Sequence, residues 1–482
     1  MITMKKIHFK KRYIPLVLLG LVLIFGIYNS YKPLPDGISY SGEIINVSES
    51  DIAFLHDLTY EIGDERIYDQ EIFDTIFKTI DEAEKYILID MFLWSKGNDI
   101  PMRDIAQEMT DHLVDRKTEI PELEIIVITD SYNTGYGSFN VEYFEQMKTV
   151  GINVVFTDVN KLRDSNLFYS PIWRTFFQVL GKPSNGWLNT PGYSEKGSIR
   201  ALLKLLNFKA NHRKTMIADC GDKMCSFVIS ANPAGSGAEH SNVGFMIKDG
   251  LYKDLYNTEK AVLGMSGYEL EDWNFSFVND SSSEKKDIEV QLVTEGKIKK
   301  AILDEIDNSK SGEEIKIAMF YFSERDILRA LLRASERGVD IEIVADPSKT
   351  GFGQEKFGMP TRMVADELIK KSDGKIKIKY YDTDDEQFHT KMVIFIKNDK
   401  IIVILGSGNY TRRNINDLNL EADVKVNIPL EKNLTVEVLT YFKRIWENED
   451  GHYTIDSDSF ESPSFFKKLK YRFQEFSGAS TF

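Results

Sequence analysis

One pattern is written twice in this chain, and any fold proposed for it has to hold both copies. His212-Arg213-Lys214, with Ser230, Asn232 and Asn242 downstream, is answered by His389-Thr390-Lys391, with Ser407, Asn409 and Asn419 downstream. Each of these five His, Lys, Ser and Asn pairs is 177 positions apart. A lone H-x-K is a weak signal, but the chain has only seven histidines, so two matched constellations are a poor fit to coincidence. The repeat extends upstream. The apolar run Tyr86 to Trp94 recurs as Ile315 to Phe322. Glu124 to Asp130, followed by Thr134-Gly135-Tyr136-Gly137, recurs as Ile341 to Asp346, followed by Thr350-Gly351-Phe352-Gly353. Ile152 to Asp158 then answers Ile376 to Asp382 as a third strand-like run.

Strand-like runs alternating with amphipathic stretches predict an α/β protein of two pseudo-symmetric halves, each a mixed β-sheet flanked by helices, with the chemistry at strand ends. The first half is placed at 45–275 and the second at 285–448, joined by the polar stretch Asn279 to Lys286. The tail, 449–482, is rich in Phe, Ser and Lys, and no role is assigned to it. The halves differ between the third strand and the histidine, where the first carries an apolar insertion at about 159–207. It contains Phe168, Tyr169, Trp173, Phe176, Phe177 and Trp187 and a helix-like run from Arg200 to Phe208. Such an insertion suits a lid, an acyl-chain wall or a membrane contact, and equally an accessory subdomain with its own core.

Residues 13–31 carry no charge, and nineteen helical residues span roughly 28 Å, close to a bilayer core. The preceding residues, 1–12, include Lys5, Lys6, Lys10, Lys11 and Arg12. A cytoplasmic basic N-terminus, a transmembrane anchor and an extracytoplasmic catalytic domain follow from the positive-inside rule. No small-x-small cleavage site stands out after Phe25, which favours an uncleaved anchor over a secretion signal. The two cysteines, Cys220 and Cys225, flank a turn-like stretch, compatible with a disulfide outside the cytoplasm and with two small buried side chains alike. No set of Cys and His has metal-ligand spacing, so no metal or other cofactor is expected.

His and Lys at i and i+2 of a strand share a face, and a return strand would bring Ser230 with Asn232, or Ser407 with Asn409, back beside them. Doubled about a pseudo-two-fold axis, the set surrounds a phosphate with cations and donors, as a phosphoryl transition state requires.

These residues resemble the H-x-K-x4-D motif of the phospholipase D superfamily, and Gly406-Ser407-Gly408-Asn409 through Asn419-Leu420-Glu421 looks like that family's downstream block. The resemblance covers nearly the whole chain beyond the anchor. It implies that one motif histidine attacks phosphorus to form a phosphohistidine while the other protonates the leaving alcohol and then activates water or an acceptor alcohol. Lys214, Lys391, Asn232 and Asn409 would hold phosphate oxygens, supported by Ser230 and Ser407. The first copy has the motif aspartate, Asp219, a structural residue at the far end of its strand, where the second has Ile396. Only the second has a downstream carboxylate, Glu421, where the first has Gly244. The resemblance pairs such a carboxylate with the histidine of the opposite half, making His212 the nucleophile and His389 the general acid/base. His240, in a loop with no counterpart in the second copy, is read as a loop residue with a minor prospect of touching substrate.

The expected substrate is membrane phospholipid, with water or an alcohol as acceptor, by hydrolysis or by headgroup exchange of the cardiolipin-synthase kind. A net charge of −15 disfavours nucleic acid, leaving a nuclease of the same superfamily as one alternative and a non-catalytic, membrane-tethered binding protein as another. No protein partner is indicated.

Overall fold

The computed structural model describes residues 11–96, 102–181, 184, 186–189, 195–276, 278, 284–351, 354–355 and 358–480. Lys5, Lys6 and Lys10 of the basic N-terminus, most of the polar stretch between the halves, and Phe352 and Gly353 lie outside them.

Two large mixed sheets carry the fold. The first runs, edge to edge, Glu65–Asp69, Ile52–Ile62, Asn242–Lys248, Lys223–Ile229, Lys214–Cys220, Tyr86–Met91, Glu124–Asp130 and Asn153–Thr157. The second runs Ile45–Val47, Ile288–Thr294, Ala422–Pro429, Lys400–Gly406, Lys391–Ile396, Glu314–Met319, Asp340–Ala345, Ile376–Tyr381 and Thr454–Asp456. Seven consecutive strands correspond in order between the sheets. The second sheet gains an edge strand at each side, one from residues 45–47 and one from the tail.

In each half, three parallel strands are joined by crossover helices, Ile105–Glu119 and Glu142–Thr149 in one, Arg325–Glu336 and Thr361–Lys371 in the other. The helix periodicity has a visible cause. Ile327, Leu328, Ala330, Leu331 and Ala334 are all buried, one stripe facing the sheet, and the Glu324 side chain caps the first turn through the Asp326 N–H.

Three apolar cores result. One lies beneath the outer helices of each half, and a third is shared, with Leu88, Ile126 and Ile217 of the first sheet joining Ala318, Val344 and Met392 of the second. The two sheets therefore meet face to face, and the ends of both motif strands arrive at one seam.

Cys220 and Cys225 form a disulfide across the hairpin turn. Cys220 stands opposite Lys223 and Cys225 opposite Ala218, so the bond joins diagonal neighbours. The insertion is mixed in character. Trp173 is buried, and Asp164 is held inside by Arg174 and Lys209, whereas Phe168, Ile172 and Trp187 are exposed. The helix Ile14–Tyr31 exposes nearly all of its apolar side chains and is long and apolar enough to cross a membrane.

Candidate active site

The sheet strands begin at Lys214 and Lys391, so each motif histidine sits two residues before its strand rather than on it. The reason is the seam. Just before each histidine the chain pairs with the other half: Asn211 bridges to Leu420 and Phe388 to Ser241. The His212 N–H donates to the Leu420 carbonyl at 2.9 Å, and the Ser241 N–H to the Gln387 carbonyl at 3.2 Å. A strand-face argument therefore fails at the histidines, which are placed by contacts across the halves.

Each lysine folds back on its own histidine. Lys214 Nζ donates to the His212 carbonyl at 2.6 Å, and Lys391 Nζ to the His389 carbonyl at 2.5 Å. A phenylalanine one residue beyond the neighbouring strand floors each pair. The Phe92 ring lies 4.9 Å from His212 with the Lys214 ammonium 5.3 Å away, and Phe320 lies 5.0 Å from His389 with Lys391 at 5.1 Å. Asn232 Oδ1 accepts from the Leu93 N–H at 3.3 Å and Asn409 Oδ1 from the Tyr321 N–H at 3.4 Å. That orientation turns each amide NH2 away from the strand end.

Two buried aspartates set the approach to the histidines. Asp130 accepts from the Asn211 N–H at 2.7 Å, and Asp346 from the Phe388 N–H at 2.9 Å. Burial pushes their carboxyls up to about 6 and about 7, respectively. Asp219 lies elsewhere. It accepts from the N–H groups of Glu84, Lys85 and Tyr86 at 2.7–2.9 Å, tying down the start of the strand Tyr86–Met91.

Behind the imidazoles the symmetry breaks. His212 Nδ1 lies 2.9 Å from Glu421 Oε2, supplied by the opposite half. Glu421 is completely buried and also accepts from Ser407 Oγ and Asn414 Nδ2. His389 Nδ1 instead meets the uncharged Asn242 Oδ1 at 3.1 Å, again from the opposite half, and Ser230 Oγ donates to the same oxygen at 3.0 Å. Both serine hydroxyls are thus engaged behind the histidines, each also accepting a backbone N–H, from Val243 and Ala422.

Burial dominates the electrostatics. It drives both imidazoles well below their ordinary value, with the cations Lys214 and Lys391 adding to the shift, and it lowers Lys214 to about 7. Glu421 is pushed the other way, up to about 8. Burial thus disfavours charge on either member of the His212–Glu421 pair, while Lys214 and Lys391 favour the ionised carboxyl. An arriving phosphate anion would favour the protonated forms of both lysines and both histidines, which burial disfavours.

His240 belongs to this site. Its ring lies 5.9 Å from that of His389, and its Nδ1 accepts from the Gln387 N–H at 3.1 Å. No sequence spacing announces it, because the loop is present in one half only. Phe92 and Phe320 did leave a trace, each following a methionine within a repeated run. Among the described residues no three His, Cys, Asp or Glu side chains gather as a metal-ligand set.

A family model described as cardiolipin synthase, PLD-like domain, matches residues 302–446. That segment contains His389, Lys391, Ser407, Asn409 and Glu421, and the first half repeats its strand order and its His, Lys, Ser and Asn. The second half of the chain thus carries a segment similar to phospholipase D-like domains. Among solved structures, phosphatidylserine synthase from Haemophilus influenzae Rd KW20 superposes with a TM-score of 0.60 at 14% identity, covering 95% of this chain and 98% of that one. The chain thus shares that protein's fold over nearly its whole length. Nuc, a phospholipase D family member from Salmonella typhimurium, matches at 26% identity over 35% of this chain and 98% of its own, with a TM-score of 0.27. A search of curated protein sequences finds no match.

Proposed function

We propose that this phospholipase D-like protein is a membrane-anchored phosphodiesterase or phosphatidyltransferase acting on phospholipids through a covalent phosphohistidine. The observation that carries the reading is the contact of His212 Nδ1 with Glu421 at 2.9 Å across the seam. With its carboxyl ionised, Glu421 accepts the Nδ1–H of His212, the tautomer that leaves Nε2 with its lone pair. His212 Nε2 attacks phosphorus, and the bond to the leaving alcohol breaks as His389 gives that alcohol its proton. Glu421 then faces a cationic phosphoimidazolium, an ion pair formed only as the reaction proceeds. In the second step His389 takes a proton from water or an acceptor alcohol, whose oxygen displaces His212 from phosphorus. Lys214, Lys391 and the amides of Asn232 and Asn409 would hold the phosphate oxygens. The anchor helix, with a cytoplasmic N-terminus, would keep the site at the outer membrane surface.

The test is lipid product analysis on the full chain in vesicles of phosphatidylglycerol and phosphatidylethanolamine, with and without added glycerol, and with His212→Ala and His389→Ala in parallel. Lipid turnover lost in both variants is expected, and a new headgroup in the product marks exchange. No lipid turnover, or turnover of single-stranded DNA in its place, would refute the proposal.

A further inference from the structure

The tail closes with the helix Phe465–Ser477, held to the second half by its narrow side. Tyr471 and Glu475 are buried, Tyr471 Oη donates to the Ser323 carbonyl at 3.3 Å, and Lys468 pairs with Asp366 at 2.6 Å. The opposite side is apolar and bare. Phe465, Phe466, Leu469, Phe473 and Phe476 are all exposed, Phe465 and Phe466 to 73% and 79%. At about 100° per residue these five occupy an arc of about 100° on the helix. Lys470 and Arg472 flank that arc, and Lys467 lies behind it. In a chain of net charge −15 this helix carries four cations and one acid, the buried Glu475.

The bare face continues into the insertion and the anchor. The Phe473 ring stacks on Phe168 at 6.1 Å, and the Leu167 N–H donates to the Ser477 carbonyl at 3.0 Å. Three residues beyond Phe168, Pro171 packs so closely on the anchor helix that a Cβ added at Gly26 would meet it at 2.9 Å. The Asp164 N–H donates to the Asn29 carbonyl at 2.9 Å, and Arg163 Nε to that of Lys32 at 2.8 Å. Ile172 and Phe176, one and two turns beyond Phe168, are exposed as well.

We infer that the C-terminal helix, with the Phe168–Phe176 segment of the insertion, lies in the surface of the bilayer crossed by the anchor and docks the catalytic body against anionic lipid headgroups. Exposed aromatics flanked by Lys and Arg are the composition of an in-plane interfacial helix. Continuity with the anchor selects a membrane over a protein as the occupant. The inference rests on the membrane-anchored reading, and its test separates the two.

The test places spin labels singly, through Phe466→Cys, Leu469→Cys and Phe473→Cys, in the full chain in phosphatidylcholine nanodiscs containing phosphatidylglycerol. Ile24→Cys serves as the anchor reference and Lys300→Cys as the water reference. The three helix positions should be reached by oxygen and shielded from a water-soluble nickel chelate, as Ile24→Cys is. Lys467→Glu with Lys470→Glu should raise nickel access at Phe466→Cys only when phosphatidylglycerol is present. Phe465→Ser with Phe466→Ser and Phe473→Ser should cut turnover of vesicle lipid by roughly tenfold or more and leave monomeric short-chain lipid unaffected. Helix labels that behave like Lys300→Cys while Ile24→Cys stays in lipid overturn the docking and leave the anchor standing. Ile24→Cys in water overturns both. Labels shielded from both reagents and broadening one another in detergent would assign the face to a second copy of the chain, which also overturns the inference.

Discussion

The two half-sites share their histidine, their folded-back lysine, their phenylalanine floor, their asparagine and the aspartate that fixes the preceding peptide. They part at the oxygen on Nδ1 and at His240, which stands beside His389 alone. Glu421 offers His212 a carboxylate and Asn242 offers His389 an amide, although Ser407 and Ser230 brace the two groups alike. A charge-assisted hydrogen bond is roughly twice as strong as a neutral one, so a positive charge is better tolerated on His212 than on His389. Covalent bonding of Nε2 to phosphorus creates that positive charge, whereas a proton donor must give its charge away. In the proposed mechanism this difference separates the roles of the two histidines.

The largest expected effect is the loss of either imidazole. His212→Ala and His389→Ala should each lower lipid turnover by about 10⁴-fold or more, and the double variant should lose little beyond either single one, because residues acting as a unit are non-additive. Additive losses would show two independent sites. Glu421→Gln should follow, costing about 10²–10⁴-fold chiefly in kcat, while Asn242→Ala should cost only about tenfold. Equal losses would erase the asymmetry. His240→Ala should be smaller still and fall on the leaving-group step, with a stronger effect on poor leaving groups than on nitrophenyl esters.

Stability offers the subtlest reading. Glu421 titrates at about 8 in the fold, well above its ordinary 4.5, because burial outweighs the donors around it. Between those values the folded chain holds a proton that the unfolded chain has lost, so this group's contribution is full below about pH 4.5 and is lost as pH rises through about 8. The melting temperature of the wild type minus that of Glu421→Gln should fall steadily from pH 5 to pH 8 and level off above. A flat difference would mean that Glu421 is ionised throughout.

Much of this was legible in the repeat. Matched spacing marked six repeated strands upstream of the motifs and brought His212, Lys214, His389 and Lys391 into view together, and Glu421 stood out because its counterpart is Gly244. What the sequence concealed depends on contacts across the seam. The pairings of Asn211 with Leu420 and of Phe388 with Ser241 join segments 209 and 147 positions apart, and they move the two histidines off the strands on which an i, i+2 pattern had put them. Asp130 and Asp346 read as strand ends, and nothing local shows that each holds the peptide before a histidine. Asn242 was visible as a matched position but not as the Nδ1 partner of His389, and His240 had no twin to mark it. Strand Thr454–Asp456 and the helix after it escaped for a simpler reason: the tail lies outside the repeat.

The central claim is that His212 takes the phosphoryl group and His389 moves the proton. Rapid acid-free quenching of the full chain with a phospholipid labelled in its phosphate, followed by peptide mapping, tests it directly. A label on the peptide containing His212, retained and accumulating in His389→Ala with a good leaving group and absent in His212→Ala, is the predicted result. A label on the peptide containing His389 that persists in His212→Ala would contradict it.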